Sequence, residues 1–355
     1  MREKIALIDD YNNKDKIKTD GASTKTQNVY LFLKEKYGNE IERFFIKSWK
    51  KHPISNFIVI NKILRKYKTI VILPNESRLK IYCLLFKKRV LKKMNNIIYM
   101  VVGGWLPLFL EKKQKYRRIC MLFDGIFVET RKMTSLIKNL GLDNVFYSPV
   151  FSYQISDSKN DSFKIRDEPI PVCLFSRVEK SKGVVIAIDS IKKANSILKT
   201  SAFFLNIYGR MTADDERVFL NNYFQNNSSV CEYHGPVDSK DLFNRLNSNF
   251  LLLFPTYFWG EGFPATLLES YQSFLPVLAS NWKYNNELVV EGETGFLVKP
   301  QDVDDLADKL VQCYKNKQDI LKMREKCYIF SKQFSPEKCM DIVCQKIDSI
   351  FSGHN

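Results

Sequence analysis

Histidine is scarce in this chain. The three in 355 residues, His52, His234 and His354, are too far apart in sequence to suggest a metal site. The eight cysteines form no C-x-x-C pair, and Cys120, Cys173 and Cys231 fall in apolar, strand-like runs. That usage reads as reduced, buried thiols in a cytosolic protein. The longest apolar run, Ile97–Leu110, is too short to span a bilayer and carries Gly103, Gly104 and Pro107. No secretory leader is visible, because Lys4-Ile5-Ala6-Leu7-Ile8 runs straight into an acidic, polar loop. Short internal repeats, low-complexity tracts and recognisable nucleic-acid motifs are also missing.

What is present is a chain too long for one ordinary core, which predicts two domains. Hydrophobic residues make up 45%, an ordinary globular share. Charge is unevenly divided. Residues 1–150 hold 31 Lys and Arg against 13 Asp and Glu, a net +18, whereas residues 151–355 hold 24 against 26, a net −2. A half this basic faces a polyanion, either an anionic membrane or a nucleic acid.

Strand and helix patterns alternate through both halves. In the first, strands are expected at Lys4–Asp9, Ile41–Lys47, Thr69–Pro74, Asn96–Val102, Gly125–Glu129 and Val145–Pro149. Helices are expected from Gly21 to about Tyr37, near Ser55–Tyr67 and Ser77–Lys93, and through Leu136–Leu140. Ser152–Pro169 is polar and reads as a linker. The second series has strands at Val172–Phe175, Phe203–Tyr208, Val230–Tyr233, Phe250–Phe254, Pro276–Ser280 and Gly295–Val298. Helices follow at Val303–Cys313, Asp319–Phe330 and from Ser335-Pro336 to about Phe351. This alternation predicts α/β architecture: two doubly wound parallel sheets facing a cleft, with ligands at the strands' carboxyl ends.

Chemistry concentrates in Gly260-Glu261-Gly262-Phe263-Pro264-Ala265-Thr266-Leu267-Leu268-Glu269. Glu261 lies in a loop after one apolar strand. Glu269 lies inside a helix expected to start near Pro264, since proline suits the first helical position. The helix entrance offers N–H groups and positive potential to an anion. The two carboxylates can accept hydrogen bonds from hydroxyls. A diphosphate flanked by hydroxyl-rich rings matches this layout. With Pro276-Val277-Leu278-Ala279-Ser280 after the helix, the segment resembles the signature of retaining nucleotide-sugar glycosyltransferases of family 4, which have the GT-B fold.

Leu174-Phe175-Ser176-Arg177-Val178-Glu179-Lys180-Ser181-Lys182-Gly183 places two cations at a strand's carboxyl end, where a guanidinium fork and an ammonium suit phosphate oxygens. The segment is similar to that family's Gly-Arg-Leu-x-x-x-Lys-Gly loop, with Ser176 in place of Gly. The resemblance implies that Arg177 and Lys182 hold the donor diphosphate, Glu261 the donor-sugar hydroxyls and Glu269 the ribose hydroxyls. It also implies donor contacts at Gly262, Phe263, Pro264 and Ala265. Gly209 resembles the first glycine of the family's Gly-x-Gly loop, with Arg210-Met211 replacing the usual acidic–Gly pair. Pro236 and Val237 match a loop bordering the nucleobase, and Thr294-Gly295-Phe296-Leu297-Val298 matches the strand after the donor site. Phe274 stands where the family has Gly, so the helix-ending turn is expected to differ. The likeness covers about residues 170–335 well and the first half in outline.

In that first half, Gly21-Ala22 resembles a Gly-Gly loop near the phosphates, and Ala22 fits close approach only at negative φ. Gly103-Gly104-Trp105 occupies the region where many family members carry a histidine near the reacting sugar, and none is present here. These three residues are candidate acceptor contacts. Gly103-Gly104 reads equally as a tight turn, and Trp105 as a sugar platform or a core residue. Asp302-x-Asp304 opens a helix after Lys299-Pro300, so capping explains it better than metal binding. No metal is expected.

The resemblance thus implies a retaining sugar transfer from a nucleotide sugar, a UDP-sugar before other donors, to a hydroxyl acceptor, with no cofactor. Residues 1–155 would bind the acceptor, with the last helix, about 336–352, packed back on them, and 170–335 the donor. The basic half suggests a polyprenyl-diphosphate-linked glycan of a bacterial surface polysaccharide, handled from the cytoplasmic side of an anionic membrane. Lys87, Lys88, Lys92 and Lys93, at the cationic end of an apolar helix, are the expected membrane contacts. A nucleotide-sugar epimerase of the same shape and a basic nucleic-acid-binding protein are the alternatives.

Overall fold

Ile5–Ile8, Ile70–Leu73 and Ile97–Val101 are buried at every position rather than at alternate ones. Strands covered on both faces have this character. The computed structural model describes residues 4–11, 21–153, 164–165, 168–212, 214–238 and 240–353. They gather into two compact units, residues 1–153 with 334–355, and residues 154–333.

In the first unit the order is β1 (Ile5–Asp9), α1 (Gly21–Tyr37), β2 (Ile41–Phe45), α2 (Pro53–Lys66), β3 (Thr69–Ile72), α3 (Glu76–Leu91), β4 (Asn96–Met100), α4 (Leu106–Lys112), α5 (Gln114–Cys120), β5 (Gly125–Val128), α6 (Arg131–Lys138) and β6 (Val145–Tyr147). All strand pairs are parallel, in the order β2-β1-β3-β4-β5-β6. Local chemistry sets several helix starts. Asn75 accepts a bond from the Arg78 N–H, and Thr130 from the Met133 N–H at 3.2 Å. The short helices α4 and α5 lie where the sequence pattern gave only cations and an apolar run.

The second unit runs β7 (Ile170–Phe175), α7 (Val184–Leu198), β8 (Phe203–Tyr208), α8 (Asp214–Asn226), β9 (Cys231–Gly235), α9 (Leu242–Asn247), β10 (Leu252–Phe254), α10 (Ala265–Gln272), β11 (Val277–Ser280), β12 (Gly295–Val298), α11 (Val303–Lys315) and α12 (Lys317–Ser331). Its sheet is again parallel, in the order β12-β11-β10-β7-β8-β9. The chain steps outward from β7 through β9, then returns to β7's other side with β10. The β7/β10 boundary is therefore a topological switch point, where loops part and a ligand can sit.

The last helix, α13 (Pro336–Phe351), belongs to the first unit. Met340, Val343, Ile347 and Ile350 recur at helical spacing and are buried. The Ser148 hydroxyl donates to the Cys339 carbonyl at 2.8 Å, and the Tyr37 hydroxyl to Asp348 Oδ1 at 2.8 Å. Each buried aliphatic side chain of this kind contributes about 1.5–3 kcal/mol.

Two expectations are corrected here. Pro264 is not the first helical residue. It is the N-cap of α10, with φ −69° and ψ 113°, and the helix begins at Ala265. The turn ending α10 does not depart from a glycine-type turn either. Phe274 itself takes φ +56°. The Leu275 N–H reaches the Ser270 carbonyl at 2.9 Å and the Phe274 N–H the Tyr271 carbonyl at 3.0 Å, the two bonds of a Schellman ending. Phe274 is buried and stacks on Tyr328, with ring centroids 4.3 Å apart and planes at 14°. Packing offsets a backbone conformation that glycine would adopt freely.

Candidate active site

The switch point is closed by backbone contact. After β7 the chain makes a short 3-10 turn at Lys180–Lys182 and enters α7 through Gly183, at φ +82°. A Cβ at Gly183 would lie 2.2 Å from the Pro255 carbonyl oxygen, so only glycine lets this loop touch the end of β10. The Tyr257 N–H then bonds the Ser181 carbonyl at 2.9 Å. Gly209, at φ +133°, plays the same part for β8: its Cβ would lie 1.7 Å from the Ser176 carbonyl oxygen. Its N–H bonds the Gly235 carbonyl at 2.8 Å, which ties in the Pro236-Val237 loop after β9.

Within this frame Lys182 and Glu261 meet. Lys182 Nζ lies 2.7 Å from Glu261 Oε2, and both residues are buried. The Thr256 hydroxyl donates to the same oxygen at 2.9 Å. Phe258 supplies a π surface to both nearby cations, with its centroid 4.7 Å from Lys182 Nζ and 4.9 Å from Arg177 Cζ. Arg177 pairs with Glu179 at 3.4 Å and remains about one-third exposed. Glu179 is braced in turn by the Ser181 hydroxyl at 2.7 Å and the Thr212 hydroxyl at 3.2 Å.

Glu269 stands apart in α10. Among the described residues its carboxylate has no ion pair, and burial pushes its pKa up to about 7. Gly262, Phe263 and Pro264 are buried and Ala265 half-buried, and no side chain caps the entrance to α10. Pro236 is exposed and Val237 half-buried. Between them, β8 and β9 also carry His234, which stacks on Tyr208 at 4.9 Å and meets Asn206 Oδ1 at 3.0 Å.

The structure thus joins Arg177, Lys182, Glu261 and Gly209 in one contact network, with Glu269 on the adjoining helix. Sequence reasoning missed Thr256, Phe258 and Glu179. A hydroxyl and an aromatic just ahead of Glu261 were the available signal. Trp259 was missed too: it stands 54% exposed on the loop that carries Glu261. That loop is held by the Trp282 indole donating to the Phe258 carbonyl at 2.7 Å.

In the first unit Gly21 and Ala22 form the start of α1, where helical backbone keeps Ala22 at negative φ. One turn on, buried Lys25 bonds the Val101 carbonyl at 2.5 Å and Glu129 Oε1 at 2.7 Å. Gly103 turns at φ +81° just beyond Val101. Trp105 takes the core position that its sequence context also allowed. It is buried, its indole N–H donates to the Val102 carbonyl at 2.8 Å, and its ring packs edge-on against Phe109. The carboxyl end of β1 holds an unforeseen acid pair. Asp9 binds Arg43 Nε at 2.9 Å, and Asp10, bonded by the Tyr82 hydroxyl at 2.6 Å, is pushed up to about 7 by burial.

Among the described residues no group of three or more His, Cys, Asp or Glu side chains is placed to hold a metal ion. Asp302 caps α11, accepting from the Asp304 and Asp305 N–H groups at 3.0 and 2.9 Å. Among the same residues no helix is long and apolar enough to cross a membrane.

The family described as "Glycosyl transferases group 1" matches residues 156–334, half of the chain. The chain belongs to this glycosyl transferase family. An uncharacterized glycosyltransferase of Methanocaldococcus jannaschii is 28% identical over 159 residues, covering 45% of this chain and 42% of that protein. An uncharacterized 41.2 kDa protein from the cps region of Klebsiella pneumoniae is 29% identical over 150 residues, covering 42% of this chain and 37% of its own. The matched stretches therefore span about two fifths of these relatives. Anabaena HepE, crystallised in complex with UDP, superposes with a TM-score of 0.73 at 14% identity, covering 98% of this chain and all of that one. Such likeness establishes the fold, which is GT-B, across nearly the whole group 1 chain.

Proposed function

We propose that the protein transfers a sugar from a nucleoside-diphosphate sugar, a UDP-sugar before other donors, to a hydroxyl acceptor with retention at the anomeric carbon. The buried Lys182–Glu261 pair at the switch point, with Arg177 on the same loop, carries this reading. Departure of the diphosphate is the costly event, because negative charge grows on its oxygens. Arg177, Lys182 and the N–H groups at the α10 entrance would meet that charge from fixed positions, which is often the largest catalytic term. Lys182 would then exchange Glu261 for phosphate, freeing Glu261 to accept sugar hydroxyls. Glu269, half-buried and without an ion pair among the described residues, would accept both ribose hydroxyls. Neither a protein nucleophile nor a metal is required. The UDP complex of Anabaena HepE supports the choice of donor.

The acceptor in this reading is a polyprenyl-diphosphate-linked glycan at the cytoplasmic face of an anionic membrane, bound by the first unit. The cps-region origin of the Klebsiella relative and the net +18 of residues 1–150 support it. The test is a thermal-shift screen of nucleotide sugars, since a ligand of the folded state raises the midpoint. Transfer to a synthetic lipid-linked acceptor follows, with the product anomer read by NMR. An inverted linkage rejects the mechanism. Donor interconversion without acceptor would point to an epimerase instead.

A further inference from the structure

Helix α2 carries two apolar stripes but has a core on only one side. Ile60, Ile63 and Leu64 are buried in the first unit. Ile54, Phe57 and Ile58, spaced i, i+3, i+4, form a second stripe and stand 75%, 51% and 61% exposed. Three large apolar side chains on two adjacent turns cost solvation unless something covers them. Their surroundings are of one sign. Lys47, Lys50 and Lys51 precede the stripe, and Lys62 and Arg65 follow it; all five are exposed with no acidic partner among the described residues. Between Glu42 and Glu76 the sequence has eight Lys and Arg and no acid.

Helix α3 extends the surface. Arg89 Nη2 and Asn95 Nδ2 both reach the Leu64 carbonyl, the latter at 3.0 Å, and Trp49 packs edge-on against Tyr82. The carboxyl ends of the two helices therefore meet. The apolar face of α3 (Leu79, Tyr82, Cys83, Phe86 and Val90) is spent on the core. Lys87, Lys88, Lys92 and Lys93 are exposed around Leu84 and Leu91. Cations are thus plentiful on both helices, but the contiguous i, i+3, i+4 apolar stripe is on α2, whereas Leu84 and Leu91 stand two turns apart on α3.

We propose that Ile54, Phe57 and Ile58 insert into the headgroup–acyl boundary of an anionic lipid leaflet, with the α2 and α3 cations held at its phosphates. Charge complementarity sets the sign of the surface, and the apolar wedge selects lipid over nucleic acid. A nucleic acid would neutralise the lysines and leave the wedge wet, whereas a leaflet satisfies both. Lysine and arginine stems lying along apolar surface suit this boundary. The inference deepens the lipid-linked acceptor proposed above, but it is tested without donor or acceptor, so either can fail alone.

The experiment is co-sedimentation of the full chain with vesicles of phosphatidylcholine alone or with about one-third phosphatidylglycerol, a fraction at which cations at the surface add attraction. The protein should bind the anionic vesicles, and binding should fall as salt rises. The triple variant Ile54→Ser, Phe57→Ser, Ile58→Ser should bind at least about tenfold more weakly with only a small change in melting temperature, because these side chains are more than half exposed. Phe57→Trp should be quenched by lipids brominated near the headgroup. Three results would overturn the proposal: equal binding by the triple variant, an unquenched Trp in sedimenting protein, or retention by duplex RNA or DNA with none by vesicles.

Discussion

Lys182 and Glu261 form a buried ion pair across 79 residues of sequence, joining the loop after β7 to the loop after β10 at 2.7 Å. Both side chains are less than one-tenth exposed, so each charge depends on the other. Removing one partner of such a pair costs about 3–5 kcal/mol, whereas replacing both by apolar groups is often neutral. Lys182→Met and Glu261→Leu should each destabilise the protein in urea unfolding, and the double variant should recover most of the loss. All three should lack transfer activity. Additive losses in the double variant would mean the pair is not an energetic unit.

Arg177 is in a different position. It is partly exposed and its pairing with Glu179 spans 3.4 Å, so the fold does not rest on it. Arg177→Ala should melt like the parent yet lose about 10²-fold in turnover with a smaller change in KM, as expected when one preorganised charge is removed from a transition state. Full activity in this variant would sink the diphosphate assignment.

Glu269 makes donor binding pH-dependent. Its carboxyl is held at about 7 by burial, so it is protonated below that pH in the free protein. Two ribose hydroxyls donate best to the ionised form, and binding should therefore release a proton near neutrality. UDP affinity should weaken by up to about tenfold per pH unit as pH falls below 7, and level off above it, following the 1.36 kcal/mol equivalence of one pKa unit. Glu269→Gln should flatten this dependence. Calorimetry in buffers of different ionisation enthalpy reads the proton directly; the same proton release in the Gln variant would assign the titration elsewhere.

Most strands and helices of both sheets were legible because the strands are buried runs of Ile, Val, Leu and Phe between helices of clear period. The short α4 and α5 were not, since apolar Leu106–Leu110 and the cations after it mix two signals, and no helix was expected at α8 or α9. In the second unit the loop residues Arg177, Lys182 and Glu261 and the helical Glu269 were singled out from spacing in strand–loop–helix context. The Lys182–Glu261 contact was not, because it depends on Gly183 packing against Pro255, which joins segments distant in sequence. Trp105 was left open between a sugar platform and a core residue, because the pattern around a Gly-Gly turn does not show the indole's bond to the Val102 carbonyl.

Phe274 shows how a departure from glycine can be carried by packing, and its energetics can be separated. In the left-handed region a non-glycine residue costs about 1–2 kcal/mol, which glycine would recover. The buried ring stacked on Tyr328 at 4.3 Å works the other way, since Phe→Ala in a core costs about 3–5 kcal/mol. Packing is the larger effect, so both Phe274→Ala and Phe274→Gly should destabilise. Their order is diagnostic. Alanine keeps the strained backbone and loses the stack, whereas glycine loses the stack and relieves the strain. Phe274→Gly should therefore be the more stable of the two by about 1 kcal/mol, the reverse of the helix-interior preference for alanine. Both turn bonds, to the Ser270 and Tyr271 carbonyls, anchor the helix that holds Glu269. The Gly variant should consequently keep UDP affinity close to the parent's. Denaturant midpoints and UDP titrations of the two variants decide this; an Ala variant more stable than the Gly one would show that α10 no longer ends in a left-handed turn once the ring is gone.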